Sequence, residues 1–145
     1  MTGATTTARS QFFLTNRVAN PVLRRLLRTR AGRLGRHLAV LRYRGRRSGL
    51  PHELIVQYAL EGSAVWIAVG WPERKTWWRN LRTPAPVELW FAGERHSATA
   101  VVVDGAADPT QAATGLTAYR ARMGGTPASR TAAERTVLVR AQLTS

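Results

Sequence analysis

Apolar and polar residues alternate in six short runs beyond Gly35, which is the period of β-strands. The runs are rich in β-branched and aromatic residues, and Gly, Pro or charged residues separate them. The stretches LEGS at 60–63 and FAGERH at 91–96 predict tight hairpin links. Short strands joined by hairpins favour a closed or half-closed antiparallel barrel over a doubly wound sheet. The predicted strands are 37–43, 53–60, 64–69, 87–91, 97–103 and 136–143.

The N-terminal part of the chain has a helical period instead. Residues 1–9 show no apolar period and are predicted to be disordered. From Gln11 the apolar residues recur at helical spacing, with arginines largely on the other side. Asn20 and Pro21 interrupt this run as an N-cap and a first helical residue, which predicts two short helices. A helix this basic either packs on its own domain or docks on anionic lipid.

Two further helices are predicted inside the barrel region. One, at 109–123, precedes the last strand, and a short one lies within 72–81, between the third and fourth strands. A chain of 145 residues that is 44% hydrophobic has the material for a single core. We therefore predict one α+β, mainly β, domain at 10–145.

Positive charge is concentrated in the first third of the chain. Residues 1–52 hold twelve arginines and no Asp or Glu, whereas the other 93 residues carry ten basic and eight acidic side chains. Such a field attracts an anionic partner: nucleic acid, an anionic membrane surface or a small polyanion. A GC-rich genome would explain the preference for arginine over the single lysine, but not the lack of acids.

Several chemistries are excluded by residue type and spacing. There is no cysteine, which removes disulfides, thiolate metal sites and cysteine nucleophiles. His37, His52 and His96 are scattered, with no partner at ligand spacing, so no metal is predicted. The glycine patterns of dinucleotide-binding, phosphate-binding and nucleophile-elbow loops are absent, and the eight acids form no obvious catalytic pair.

Location is predicted from what the sequence lacks. No run reaches the roughly 20 apolar residues of a membrane span, and the N-terminus does not read as a secretory signal. A cytoplasmic protein is expected, with peripheral membrane contact through the basic helices left open. The Thr- and Arg-rich, acid-free start is also typical of an organelle transit peptide.

Two polar motifs carry the candidate chemistry: GRRSG at 45–49 and ERKTWWRNL at 73–81. In the first, glycines allow a turn whose backbone N–H groups converge on an anion. Ser48 adds a hydroxyl, and Arg46 and Arg47 supply forked donors that match phosphate or carboxylate. A basic hairpin turn on the surface would have the same composition.

The two motifs together resemble the deazaflavin-dependent nitroreductase family, which includes quinone reductases. Its members carry Gly-Arg-Lys-Ser-Gly and Trp-x-x-Asn-Leu-x-x-x-Pro segments, and the resemblance covers about residues 20–103. The family is similar to the flavin-binding split β-barrels, which agrees with the strands predicted above. The matching positions are Gly45, Arg46, Arg47, Ser48 and Gly49, then Trp77, Asn80, Leu81 and Pro84 or Pro86.

The resemblance implies that the protein binds coenzyme F420, a deazaflavin with a phosphate and an oligoglutamate tail. The turn would hold the phosphate, and arginines from the N-terminal helices would meet the tail. The backbone of 64–70 would lie along the ring, and Trp77 and Asn80 would set the geometry of the helix beneath it. Trp77 is equally compatible with plain core packing. Flavin mononucleotide fits less well, because it lacks the anionic tail. The implied contacts are Arg46, Arg47, Ser48 and Gly49 for the phosphate, Arg36, Arg42 and Arg44 for the tail, and Val69 and Gly70 for the ring.

The implied reaction is hydride transfer from the reduced cofactor to a planar electron-poor small molecule, such as a quinone, nitroaromatic or enone. A donor must stabilise the oxygen on which negative charge develops. Tyr119, on the helix that family members fold over the substrate, is the first candidate, and Tyr58 the second. Both are also ordinary half-buried tyrosines.

This sequence departs from the family in three places. Arg47 replaces a lysine, which preserves charge but not shape. The usual Ser-Asn-Gly-Gly loop is replaced by the shorter VGWPERKT at 69–76, with Trp71 where the ring's edge is expected. The residues after the glycine turn are His-Glu-Leu-Ile at 52–55 rather than the common Arg and Pro-Leu.

Three functions remain open at this stage. The first is an F420-dependent reductase, and the second a cofactor-free relative that binds a small molecule or catalyses a redox-neutral biosynthetic step. The third is a nucleic-acid or membrane-surface protein, but the five tryptophans are not interleaved with the arginines, so no specific nucleic-acid partner is predicted. Monomer and homodimer both remain open.

Overall fold

Six antiparallel strands and three helical segments form residues 37–144, the part of the chain that the computed structural model describes. The predicted disordered tail, the two predicted N-terminal helices and Arg36 lie outside the described residues. The strands are β1 (Leu38–Arg44), β2 (Pro51–Glu61), β3 (Ala64–Ala68), β4 (Ala85–Phe91), β5 (Glu94–Asp104) and β6 (Val137–Leu143). The helices are a 3₁₀ helix (Trp77–Leu81), α1 (Pro109–Arg122) and α2 (Arg130–Glu134).

The strands close into a barrel in the order β1-β2-β3-β6-β5-β4. This confirms the predicted six-stranded antiparallel barrel and the helix before the last strand. Closure depends on a short seam, since β1 and β4 pair only at Val40–Trp90, Leu41–Leu89 and Arg42–Glu88. The sheet is therefore a closed barrel. The gap between strands that a split β-barrel implies is present only where neighbouring strands diverge locally.

Alternation along each strand builds the barrel interior, because successive side chains point to opposite faces. Leu41, Ile67 and Leu89 are fully buried there. The interior also takes polar-tipped aromatic residues, with Tyr58 packed on Phe91 at 4.8 Å between ring centroids. The outer face of some strands is apolar as well, since Val40 packs with Ile55 and Trp66 belongs to a cluster with Leu138.

The 3₁₀ helix contributes Trp78 and Leu81 to the interior cluster. The helix predicted within 72–81 is thus confirmed only in its second half, and as 3₁₀ rather than α. Its first half is a turn in which Arg74 N–H donates to Trp71 O at 3.0 Å. Trp71 has a φ of 49°, a left-handed conformation that a helix does not accommodate.

Helix α1 covers the outer face of the sheet at Trp66. Asp108 caps it by accepting from Gln111 N–H at 3.1 Å, and Pro109 follows the cap. Gly115 faces Trp66 so closely that a Cβ would lie 2.2 Å from the indole. The helix ends at Arg122, one residue before the predicted end, and none of the helices among residues 37–144 is long and apolar enough to cross a membrane.

Three expectations about element positions are corrected. Arg42, which falls in the predicted strand at 37–43, and Arg44 both belong to β1, so they do not come from the N-terminal helices whose arginines are expected to meet the tail. Strands β2 and β5 begin at Pro51 and Glu94, earlier than predicted, because hairpin pairing continues through polar residues next to the turns. The five-residue helix α2 was missed, because its alanines give no apolar stripe to detect.

The β4–β5 hairpin allows a test of local strain. Ala92 and Gly93 have φ values of 53° and 76°, the type I′ pattern in which Asn-Gly is preferred. We expect Ala92→Asn to raise the free energy of unfolding by about 0.5–1 kcal/mol, because Asn tolerates the left-handed region better than Ala. Ala92→Val should lower it, since a β-branched residue suits that region least. Urea denaturation would measure both, and a less stable Asn variant would contradict the turn assignment.

Candidate functional site

The turn between β1 and β2 is closed by its own hydrogen bonds. Gly45 N–H donates to Leu50 O at 2.9 Å, and Gly49 N–H donates to Gly45 O at 2.8 Å. Gly49 has a φ of 70°, which favours glycine, and a Cβ on Gly45 would lie 2.7 Å from Ser48 Oγ. Ser48 Oγ in turn accepts from Leu50 N–H at 3.1 Å. The glycines are therefore required by the shape of this turn.

Asn80 joins the turn to the 3₁₀ helix. Its Oδ1 accepts from Arg46 N–H at 2.9 Å, and its Nδ2 donates to Trp77 O at 2.9 Å. Arg44 supports the other side, where its Nη1 donates to Gly49 O at 2.9 Å. The structure thus brings the two sequence motifs together, and Arg44 has a bracing contact within the turn.

These bonds limit how the turn can hold an anion. The N–H groups of Gly45, Arg46, Gly49 and Leu50 already donate to protein acceptors. Two backbone N–H groups of the turn, at positions 47 and 48, are left for a ligand, together with the arginine side chains and the Ser48 hydroxyl. Fewer backbone N–H groups of the turn are therefore available to an anion than the glycine pattern predicted.

A cavity of about 400 Å³ lies between the turn and the 3₁₀ helix. We call it the turn pocket. Three arginines line it and no carboxylate does, so its electrostatics favour an anion. Sequence reasoning missed His52, Thr76 and Arg79. Thr76 lies three residues before Arg79 and four before Asn80, a spacing that places it on their side of a helix and could have identified it. The lining residues are Gly45, Arg46, Arg47, Ser48, His52, Thr76, Arg79 and Asn80.

Aromatic rings pack beside the turn pocket. The His52 ring stacks on Tyr43 with centroids 5.4 Å apart, and Trp77 lies 6.2 Å from Tyr43 on a tilted plane. Tyr43 is buried in the barrel interior, and Trp77 is half-buried against it. Trp77 therefore packs on the core and offers its backbone carbonyl to Asn80, whereas its ring does not line the turn pocket.

Strands β2 and β3 diverge between the turn pocket and the two candidate tyrosines. They pair only from Tyr58–Ile67 to Glu61–Ala64, after which Val69 N–H donates to Val137 O on β6 at 2.9 Å. Pro51 and Gln57, the ends of the part of β2 that does not pair with β3, are roughly 20 Å apart along the strand. The backbone at Val69 and Gly70 follows the end of β3 at this divergence.

The two tyrosines lie on opposite faces of β2. Tyr119 reaches the outer face from α1, where its hydroxyl donates to Gln57 Oε1 at 2.9 Å. Tyr58 points into the barrel and is 4% exposed. Burial raises the pKa of both hydroxyls, and the charge of Arg122 partly opposes that rise at Tyr58. Both therefore stay protonated at neutral pH, and Tyr119 is the more accessible donor.

The loop after β3 holds an exposed indole. Trp71 is 45% exposed. Its backbone is left-handed, a conformation that costs about 1–3 kcal/mol for a residue other than glycine. Lys75 Nζ lies 5.9 Å from the centroid of its ring, within cation–π range, and burial lowers the pKa of that amine. Trp78 Nε1 donates to Pro72 O at 3.0 Å and fixes the loop to the 3₁₀ helix.

A second cavity of about 390 Å³, here called the seam groove, opens where β1 and β4 separate beyond Arg42 and Glu88. Arg42 and Arg44 line it, with the hydroxyls of Ser97, Thr99 and Thr144 nearby. Arg42 Nη1 lies 4.0 Å from Glu53 Oε2, so its charge is partly balanced. No group of side chains suited to a metal ion occurs within residues 37–144.

Solved structures with related folds have low sequence identity to this chain. An F420 reductase is 14% identical, with a TM-score of 0.47, and the alignment covers 75% of this chain and 87% of that one. A candidate 5-nitroimidazole antibiotic resistance protein from Bacteroides thetaiotaomicron is 8% identical, with a TM-score of 0.51 and coverage of 75% and 74%. The second likeness shows a shared barrel fold. No curated protein matches the chain.

The family is shown by the sequence itself. The profile of the F420H(2)-dependent quinone reductase family matches residues 11–142, which include both motifs, β1 to β5 and all but the last residue of β6. The resemblance based on the glycine turn and the Trp-x-x-Asn-Leu segment is thereby confirmed. The chain belongs to the F420H(2)-dependent quinone reductase family and is an oxidoreductase.

Proposed function

We propose that this protein transfers a hydride from reduced F420 to a planar electron-poor substrate such as a quinone, a nitroaromatic or an enone, and that the turn pocket holds the cofactor phosphate. The observation that carries the proposal is the pocket itself: Arg46, Arg47 and Arg79 line about 400 Å³ with no carboxylate among them. Phosphate suits this donor set, because guanidinium groups and backbone N–H groups bind it with charge-assisted hydrogen bonds.

The rest of the cofactor would extend along β2 from the turn pocket. The turn pocket lies at one end of the stretch where β2 does not pair with β3, and Tyr119 lies at the other. In the proposed pose the flat ring lies along the backbone of Val69 and Gly70, between these ends. Arg44, which touches Gly49 and also lines the seam groove, leads from the turn toward a basic surface for the tail.

The protein's part in the reaction is positioning and electrostatics. Bound F420H2 supplies the hydride. The pinned turn fixes one end of the site, and the loop of residues 71–76 borders its middle. Tyr119 donates a hydrogen bond to the substrate oxygen on which negative charge develops. For this, its hydroxyl must exchange the Gln57 acceptor for the substrate, which costs little because both partners are hydrogen-bond acceptors.

The phosphate site predicts the behaviour of a double variant. Arg46→Ala with Arg47→Ala should weaken F420 binding by about 100-fold or more, because each charge-assisted hydrogen bond contributes about 1.5–3 kcal/mol. Cofactor fluorescence on titration with protein measures this, with flavin mononucleotide in parallel. Arg130→Ala with Arg135→Ala, which removes the same charge around α2, should leave the affinity within threefold. Equal losses in the two double variants would show general attraction instead of a site.

Two substitutions of Asn80 separate its structural role in the turn from the effect of its charge on the turn pocket. Asn80→Ala removes the acceptor for Arg46 N–H and should lower the free energy of unfolding by about 1–2 kcal/mol. Asn80→Asp loses the donor to Trp77 O but keeps that acceptor and gains attraction from the lining arginines, so it should be the more stable of the two variants. It also places a carboxylate in the turn pocket and should therefore bind F420 more weakly than Asn80→Ala. The same order in both measurements would contradict the proposed anion pocket.

Tyr119 is tested by turnover. Tyr119→Phe should lower kcat for a quinone by about 10- to 100-fold, the range of a positioned proton or hydrogen-bond donor, with F420 affinity within twofold. Gln57→Leu removes the competing acceptor and should keep kcat within threefold of the parent. Because burial raises the pKa of Tyr119, the protonated form is retained through neutral pH and the Tyr-dependent rate is lost only above about pH 10. An unchanged kcat in Tyr119→Phe would remove it from the reaction.

A further inference from the structure

Trp71 is exposed and Lys75 is half-buried beside its ring, in the loop that leads to the turn pocket, and the proposed reaction gives neither side chain a role. We call these two side chains the indole clasp. Trp71 is one of three exposed large hydrophobic residues in the described part of the chain, the others being Leu50 and Met123. Lys75 directly precedes Thr76, which lines the turn pocket, so the clasp and the pocket lie on one continuous segment.

The position of the indole is fixed by its surroundings. Trp71 O accepts from Arg74 N–H at 3.0 Å, and Pro72 O accepts from Lys75 N–H at 3.3 Å. Pro72 O also accepts from the indole N–H of the buried Trp78 at 3.0 Å. The left-handed φ of 49° at Trp71 is therefore maintained by a hydrogen-bonded turn that is anchored in the core. Backbone strain held in this way is concentrated at functional positions in proteins.

The clasp offers two kinds of contact to a ligand. An indole has an electron-rich face, which stacks well on flat, electron-poor rings. Lys75 Nζ lies over the indole, 5.9 Å from the ring centroid, so a ring that enters between them would have an ammonium group within reach of an oxygen that gains negative charge. Partial burial lowers the pKa of this amine, which eases proton release to such an oxygen.

We propose that the indole clasp is the substrate-recognition element, with Trp71 stacking on a planar quinone-type ring and Lys75 donating to one of its carbonyl oxygens. The proposal rests on the proposed function and adds to it the two residues that set specificity, a stacking face and an amine that favour substrates with an aromatic ring over electrophiles with none. The clasp serves the substrate and not the cofactor, so its loss should change KM and leave cofactor affinity unaltered.

A kinetic test uses menadione as the fused-ring quinone and cyclohex-2-enone as an electrophile with no aromatic ring. Trp71→Leu should raise KM for menadione about tenfold and leave KM for cyclohex-2-enone within twofold. Trp71→Phe, which keeps a stacking face, should keep KM for menadione within threefold. Affinity for F420 should remain within twofold in both variants. An unchanged KM for menadione in Trp71→Leu would overturn the proposal, as would weakened F420 binding, which would assign the clasp to the cofactor.

The single lysine gives a second test that needs no cofactor. Reductive methylation with ¹³C-formaldehyde labels Lys75. The ring current of the Trp71 indole should shift the NMR signal of the labelled Lys75 methyl groups upfield in the parent protein but not in Trp71→Leu. Menadione should move the Lys75 signal in the parent and leave it unmoved in Trp71→Leu. If the parent protein does not bind F420, the proposed function is contradicted. The NMR test alone then decides whether the indole clasp binds a quinone. A Lys75 signal that menadione does not move would overturn it.

Discussion

The hydrogen bond from Arg46 N–H to Asn80 Oδ1, 2.9 Å long, determines how the candidate site is assembled. It joins a hairpin turn to a helical segment 34 residues later and places the arginines of both around one cavity. Asn80 holds this position because it also donates to Trp77 O and so is fixed within its own helix. The geometry of the site therefore depends on an amide that binds two backbone groups, with no ionic contact in the link.

Concentrated positive charge has a structural cost that a bound anion would remove. Arg46, Arg47 and Arg79 repel one another across the turn pocket, and no carboxylate of the lining offsets this. Arg42, by contrast, has Glu53 at 4.0 Å, and Arg95 has Glu88 at 2.7 Å. Arg130 likewise has Glu134 at 3.0 Å, whereas no carboxylate lines the turn pocket, so an anion bound there would also stabilise the fold.

The local divergence of β2 and β3 separates the β1–β2 turn from Tyr119. The turn lies at one end of the diverging stretch, and the Tyr119 hydroxyl lies near Gln57 at the other. The fixed indole of Trp71 comes from the loop that follows β3. A rigid barrel can hold these groups at set separations because its strands share a continuous hydrogen-bonded ladder on their other edges, β2 with β1 and β3 with β6.

The sequence by itself determined the barrel, the helix α1, the family and the basic turn, because period-two alternation, an Asp-Pro cap and a glycine-bounded arginine pair are local patterns. It missed α2, whose alanines carry no periodic signal. It placed Arg42 in the strand at 37–43, which is present as β1, but the grouping of Arg42 and Arg44 with the N-terminal helices is wrong. Only the tertiary structure decided that Asn80 pins Arg46, that His52 and Arg79 share their cavity, and that Tyr58 and Tyr119 occupy opposite faces of β2. These are contacts between segments distant in sequence, and they depend on strand register and barrel closure, which no local pattern encodes.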